Sequence, residues 1–413
     1  MTEEKRRLWA QRLDRFCVVA GALVPVGLVI GNVGFEALVA AVALAWIVRS
    51  CVARDNPVAR VMAHPLALPW MAWYAVMVIS VAVNGPGSKG WAHDVVFIRY
   101  PLFGLALIDV SGRRPLARSL IWGLAAGVVW AAVNTLAAYG LGHDLIGRPL
   151  IRYTGKLKEA ARIAGMAGFA APFFLAWGIL DEGLSKKEKA VILALGALAF
   201  VQVVQTHVRT ALLAATVAVF FSTAILVVRR RAFAVAAGLC AVLALALALW
   251  FSFSSRRQLS FYSIYDRIYY WKVALAMWME HPVLGVGISS FQDAYKEMAA
   301  SGMIDAFVSP DGLIWEQKEV MHAHSLFFMV LACTGLAGLA AFGWLFVNAV
   351  RVIARHLDGW GLGLVSWPVA LVVFGLTGFN IYHSWYQALQ AFFLALIGVQ
   401  VFEEKRAREA DSS

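Results

Sequence analysis

Charge is scarce in this sequence, and acidic charge scarcest: 15% of its 413 residues are Asp, Glu, Lys or Arg, 25 of them acidic against 36 basic. A soluble chain of this length needs more polar surface than that, and a hydrophobic share of 61% with a mean hydropathy of +0.71 exceeds what a globular core can hide. Lipid must cover the remainder. Cysteine is equally sparse. Cys17, Cys51, Cys240 and Cys333 lie in apolar runs or basic loops, so neither a disulfide framework nor a zinc site is readable. No Walker-type lysine pattern occurs, which leaves nucleotide hydrolysis unsupported, and no internal repeat marks two related halves. The first apolar run follows Lys5, Arg6, Arg7, Arg12 and Arg15 and lacks a small-residue cleavage site, so it reads as a retained span. The formal charge of +11 therefore speaks first to membrane orientation, and nucleic acid is not expected as a partner.

What is present is a series of apolar stretches, each of roughly 17 to 25 residues, long enough to cross a bilayer as helices. Their centres fall near Leu23, Val42, Val76, Leu105, Val128, Pro172, Leu195, Val217, Val242, Leu331, Leu371 and Leu394. Alternate connections carry Arg54/Arg60, Arg113/Arg114, Lys186/Lys187/Lys189, Arg229/Arg230/Arg231 and Arg351/Arg355, and both termini are basic. The positive-inside rule assigns all of these to the cytoplasm, and an even number of spans agrees with both ends lying there. The expected class is an all-α polytopic membrane protein of about twelve transmembrane helices. Residues 1–253 hold helices one to nine, 254–321 form a periplasmic loop containing an amphipathic helix, and 322–413 hold helices ten to twelve and a cytoplasmic tail.

Three connections on the outer face carry cations against that charge rule. The loop at about 141–161 holds Arg148, Arg152, Lys156 and Lys158, with Arg162 opening the next helix. The turn after Gln205 holds His207 and Arg209, and the loop at 254–321 holds Arg256, Arg257, Arg267, Lys272, Lys296 and Lys318. Arginine retained there points to an anionic ligand, because a guanidinium matches phosphate oxygens bidentately; contact with anionic lipid headgroups is the plainer explanation for any one of them. Arg209 stands apart, since an arginine opening an apolar helix gains nothing from the macrodipole and needs another partner, or must snorkel.

Within the long loop, Trp271, Ala274, Leu275 and Trp278 recur at helical spacing and predict a surface-lying amphipathic helix, capped at its start by Asp266 and ended by His281-Pro282. Gly285-Val286-Gly287 then makes a turn poor in side chains that a ligand's phosphate can approach closely. His322 and His324 close the loop. An imidazole there can accept a proton near neutral pH, although a histidine at a helix start is by default an interfacial polar residue. The two-residue spacing does not make a metal site, whose third ligand would have to be His207, His383 or Glu316, and no metal is expected. Glu316 and Glu319 are rival bases.

Three pieces in order resemble the outer-face signature of the O-antigen ligase and polymerase superfamily. They are Arg209-Thr210-Ala211-Leu212-Leu213 at a span start, Arg267 and Trp271 running on to His281-Pro282 and Gly285-Val286-Gly287 with Phe291 beyond, and Ala323-His324-Ser325-Leu326 followed by Thr334-Gly335 and Gly338. The resemblance implies a GT-C-like glycosyltransferase architecture and an O-antigen ligase, which moves a polysaccharide from an undecaprenyl diphosphate carrier to a sugar hydroxyl of the lipid A core. It implies no cofactor, with inner-membrane lipids as surroundings. By the same resemblance Arg209 and Arg267 bind the donor diphosphate and His324 is the general base. Arg162, Arg152, His322, Trp271, Gly285 and Gly287 are secondary candidates. Ser325 stands where such sequences often have asparagine. A repeat-unit polymerase and a protein O-oligosaccharyltransferase share the chemistry and differ in acceptor. A transporter is the reading of another class, and it would require Arg209, Arg267 and His324 to lie apart.

Overall fold

The structure is a computed structural model that describes residues 1–85, 87–88, 90–148, 160–230, 262–304, 307–308, 314–315, 320–378 and 380–411. The apolar stretches fold into helices α1 (Glu3–Ile30), α2 (Asn32–Ala53), α3 (Val58–Met62) and α4 (Ala67–Asn84). A broken helical segment follows, α5 (Trp91–Val95) and a 3-10 turn leading into α6 (Arg99–Ser111). Then come α7 (Ala117–Leu141), α8 (Ala160–Leu180), α9 (Lys186–Gln205), α10 (Arg209–Arg230), α11 (Tyr262–Glu280) and α12 (Phe291–Ala300). The chain closes with α13 (Leu326–Arg355), α14 (Gly361–Leu364), α15 (Ser366–Thr377) and α16 (Ser384–Asp411). Between α12 and α13, β1 (Phe307–Val308) pairs antiparallel with β2 (Ile314–Trp315), a two-residue ladder that the all-helical expectation did not include.

Eleven of the twelve expected span centres lie in these helices, and Val242 lies outside the described residues. Among the described residues, however, only eight helices are long and apolar enough to cross a membrane. The difference from about twelve has a geometric cause. Leu105 sits in α6, whose 13 residues span roughly 20 Å at about 1.5 Å each, short of a hydrocarbon core of about 30 Å. Leu371 likewise falls in a shorter apolar segment, Gly361–Leu376, whereas Val217 lies in α10, whose 22 residues match the length of a span. The most enclosed spans are α8 and α16, against which α6, α10, α14 and α15 pack, while α1 lies between α2 and α7, and α4 lies on α13.

At the end of the bundle that carries both termini, charged residues meet inside and beside the helix ends. Asp14, Arg49, Asp55, Arg60, Asp109 and Arg113 form a closed ring of alternating sign. Its contacts are Asp14–Arg49 at 3.4 Å, Arg49–Asp55 at 2.6 Å, Asp55–Arg60 at 2.8 Å, Arg60–Asp109 at 3.1 Å, Asp109–Arg113 at 2.8 Å and Arg113–Asp14 at 3.1 Å. The Trp46 indole also donates to Asp109 at 2.8 Å. Arg60 and Arg113, read above as orientation signals, thus also tie α1, α2, α3 and α6 together. Buried carboxylates persist only when matched in this way.

At the opposite end the glycines of the long loop find their purpose in α13. That helix breaks at Gly335, whose φ of 62° and ψ of −161° leave the helical region. A break frees carbonyls before it and N–H groups after it, and buried backbone groups must be paired. The segment 282–287 inserts there and pairs them. Leu336 and Ala337 donate to the Pro282 and Val283 carbonyls at 3.0 and 3.1 Å, and Val286 and Gly287 donate to Ala332 and Cys333 at 2.8 and 2.9 Å. From α4, Ser80 Oγ lies 2.6 Å from the Leu284 carbonyl and Asn84 Nδ2 donates to Gly285 at 2.8 Å. Gly285 and Gly335 face each other's backbones so closely that a Cβ on either would overlap main-chain atoms of the other strand of the clasp, Cys333–Thr334 or Val283–Leu284. The close approach that Gly285-Val286-Gly287 permits is therefore to α13, where the sequence suggested a phosphate.

Candidate active site

Arg209 opens α10 immediately after a tight turn in which His207 takes a left-handed φ of 54°. Arg267 lies in α11, which begins at Tyr262. Asp266 is consequently inside the helix, and the expected cap is corrected: the helix starts four residues earlier because Tyr262 and Tyr265 extend its apolar pattern. The buried face is also turned by one residue from the expected stripe. Tyr270, Val273, Ala274 and Met277 are buried against α13, while Trp271, Leu275 and Trp278 are half-buried at its flanks. Trp271 stacks on Phe328 at 5.3 Å, with its indole N–H buried and without a hydrogen-bond partner in the structure.

This phase brings the charges together. Burial lowers the Arg267 pKa from its ordinary value, the nearby Arg209 guanidinium lowers it further, and Asp266 offsets only part. Two cations held near each other in a partly desolvated position are relieved by a bound anion, and a diphosphate suits both. One turn along α11 from Arg267, the Tyr270 ring stacks on His324 at 5.3 Å. The other side of His324 meets His322 with ring centroids 4.0 Å apart, and His322 meets His383 edge-on at 5.4 Å. His383 in turn stacks on Trp385 at 6.4 Å. His324 is held in a left-handed conformation with φ of 49°, uncommon for a residue with a side chain. Beside it, Ser325 is buried and donates to the Gly375 carbonyl on α15 at 3.2 Å. One row therefore runs from the two arginines through Tyr270 to three imidazoles.

Burial, and after it the charges of His324 and His383, push the His322 pKa down to about 3, so this ring stays neutral at physiological pH. Because the folded value lies below that of the unfolded chain, the unfolded form takes up the proton first on acidification. Stability from this site is complete above about pH 6.5 and is lost as the pH falls towards 3. Between pH 7 and pH 5 the site should cost about 2 kcal/mol, and His322→Gln should flatten that part of the thermal-stability profile. An unchanged slope in the variant would remove His322 as the cause. Among the described residues no group of three or more His, Cys, Asp or Glu is placed to hold a metal ion.

The remaining candidates separate. Arg162 is buried at the start of α8 and donates to Asn32 Oδ1 at 2.6 Å, and one turn on, Gly165 receives the Trp385 ring. Arg148 has a structural use: it pairs with Asp144 and donates to the last carbonyls of α1, Val29 and Ile30, both at 3.1 Å. Its charge is no longer evidence for a ligand. Arg152, Arg256, Arg257, Glu316 and Glu319 lie outside the described residues. Tyr270 is the member of the row that sequence reasoning does not single out, and His383 enters that reasoning only as a possible third ligand to a metal that is not expected. The i to i+3 relation of Tyr270 to Arg267 was the available signal, whereas His383 had none beyond its residue type.

Residues 194–343 match the family model for O-antigen ligase. That match covers 150 of the 413 residues and supports a place in the O-antigen ligase superfamily. No individual curated protein shows significant similarity to it. The segment matched to O-antigen ligase contains Arg209, Arg267, Tyr270, His322 and His324 together with the clasp between 282–287 and Gly335, while His383 reaches the row from just before α16, outside it.

Proposed function

We propose that this member of the O-antigen ligase superfamily is a GT-C-like glycosyltransferase of the inner membrane, with both termini in the cytoplasm. It transfers a polysaccharide from undecaprenyl diphosphate to a sugar hydroxyl of the lipid A core at the periplasmic face. The observation that carries this reading is the continuity of the row: Arg267 is electrostatically coupled to Arg209, and one helical turn away Tyr270 holds His324. The transporter reading needed these groups to be scattered.

In the proposed reaction the acceptor oxygen attacks the anomeric carbon while the bond from that carbon to the diphosphate oxygen breaks, which inverts the anomeric centre. His324 takes the hydroxyl proton. Arg209 and Arg267 neutralise the charge that develops on the departing diphosphate, a role that preorganised cations fill at little reorganisation cost. Protein, donor and acceptor suffice, with no metal and no nucleotide.

The experiment is incubation of the purified protein with an undecaprenyl diphosphate glycan and lipid A core. Glycan on the core supports the ligase; a donor that lengthens while the core stays bare replaces it with the polymerase. Arg209→Ala and Arg267→Ala should each lower kcat/KM about a hundredfold or more, and the lysine variants should recover only part, because one ammonium cannot reproduce a bidentate contact. Near-normal turnover in both alanine variants would sink the diphosphate role.

A further inference from the structure

At the far end of the bundle from the histidine row, α1, α2 and the connection from α6 to α7 leave a recess of about 730 Å³. Five of its lining residues are arginines, Arg6, Arg7, Arg49, Arg113 and Arg114, against two acids, Glu3 and Asp14. Those acids are already engaged. Glu3 pairs with Arg7 at 2.6 Å, and Asp14 is shared by Arg49 at 3.4 Å and Arg113 at 3.1 Å. Arg6 and Arg114 are half-buried in the recess wall, and their side chains make no ion pair or hydrogen bond among the described residues. Arg49, with a side chain only 9% exposed, is already committed: its Nε lies 3.4 Å from Asp14 and its Nη1 2.6 Å from Asp55. A cluster of guanidiniums in this state calls for an anion with several acceptor oxygens.

The depth of the recess says where that anion comes from. With 28 residues α1 is roughly 42 Å long, more than a hydrocarbon core of about 30 Å, so its first turns stand at the headgroups. Leu8 and Trp9, one turn from Arg6, are each 50% exposed, and Arg12 lies 5.5 Å over the Trp9 ring. That combination of exposed tryptophan and flanking arginines marks a membrane–water interface. We propose that the recess binds the phosphodiester of an anionic phospholipid from the leaflet on the side of the termini, with Arg6 and Arg114 as its principal ligands. This lipid site is independent of the reaction assigned to the opposite face.

The test is thermal unfolding of the full chain in neutral detergent, titrated in parallel with phosphatidylglycerol, phosphatidylcholine and inorganic phosphate. Phosphatidylglycerol should raise the melting temperature saturably and phosphatidylcholine should not. The double variant Arg6→Gln/Arg114→Gln should weaken the apparent affinity about tenfold or more, while Arg118→Gln, on an exposed arginine of α7 outside the recess, should leave it unchanged. Neither removed guanidinium has a partner among the described residues, so the variant should melt normally in phosphatidylcholine; if it does not fold, Arg6→Lys/Arg114→Lys replaces it and should keep most of the binding. A double variant that responds like the wild type overturns the site. So does an Arg118→Gln loss as large as the double variant's, which would mean diffuse surface charge, or a full shift with inorganic phosphate and none with the lipid, which would mean a soluble anion.

Discussion

His324→Ala should abolish glycan transfer, lowering kcat on the order of a thousandfold, because a positioned general base typically contributes two to four orders of magnitude. Donor binding should be little changed, since Arg209 and Arg267 belong to other elements and the His324 imidazole packs on the Tyr270 and His322 rings. The measurement is transfer to lipid A core at saturating donor, with donor affinity determined separately. Tyr270→Ala, which removes one of those rings, should cost roughly three- to tenfold, the value of an aromatic contact of this kind. A His324→Ala enzyme within tenfold of the wild type would move the base elsewhere, with Glu316 and Glu319 next in line.

Gly335→Ala should remove folded protein altogether. The added methyl would overlap the Val283 carbonyl group and the Leu284 amide, and the φ of 62° is one that L residues rarely adopt. Backbone strain of about 1–3 kcal/mol and overpacking of about 1–3 kcal/mol act together, against parts that have nowhere to move because four hydrogen bonds lock them. A loss of about 3–5 kcal/mol is a large part of a typical folding stability. Gly343→Ala is the control. It lies on the same helix with nothing within 4 Å of an added Cβ, and it should be neutral or gain up to about 1 kcal/mol from helix propensity. Detergent-solubilised yield and melting temperature distinguish the two, and equal behaviour would mean that the clasp is not the element that holds α13 broken.

The clasp also explains why the motifs read in the sequence occur together. His281-Pro282 through Gly287 and Thr334-Gly335 were noticed as separate pieces of a resemblance, and the glycines were assigned to a ligand. The structure makes them the two halves of one joint, which fixes the start of α13 and so the His322–Ser325 segment before it. The helical stripe of α11 was found in the right place and in the wrong phase. Trp271, Ala274, Leu275 and Trp278 satisfy the same spacing as Tyr270, Val273, Ala274 and Met277, and where nearly every residue is apolar periodicity alone cannot choose between faces one residue apart. Arg148 shows the converse: an arginine on the outer side looked available for an anion until Asp144 and the carbonyls closing α1 were seen around it.

Sequence alone determined the polytopic helical class, the resemblance to the O-antigen ligase superfamily, and the choice of Arg209, Arg267 and His324 as candidates. These follow from local quantities: the length of an apolar run set by bilayer thickness, the placement of arginine and lysine around it, and short motifs. Tertiary structure decided the rest. Tyr270 and His383 reach the histidines from positions more than fifty residues away in sequence, Ser80 reaches the clasp across 204 residues, and the six-membered Asp–Arg ring closes only when α1, α2, α3 and α6 pack side by side. No pattern along the chain announces such meetings, because pairing between distant polar groups in an apolar bundle is enforced by the cost of leaving any one of them unmatched after packing, and that cost exists only in three dimensions.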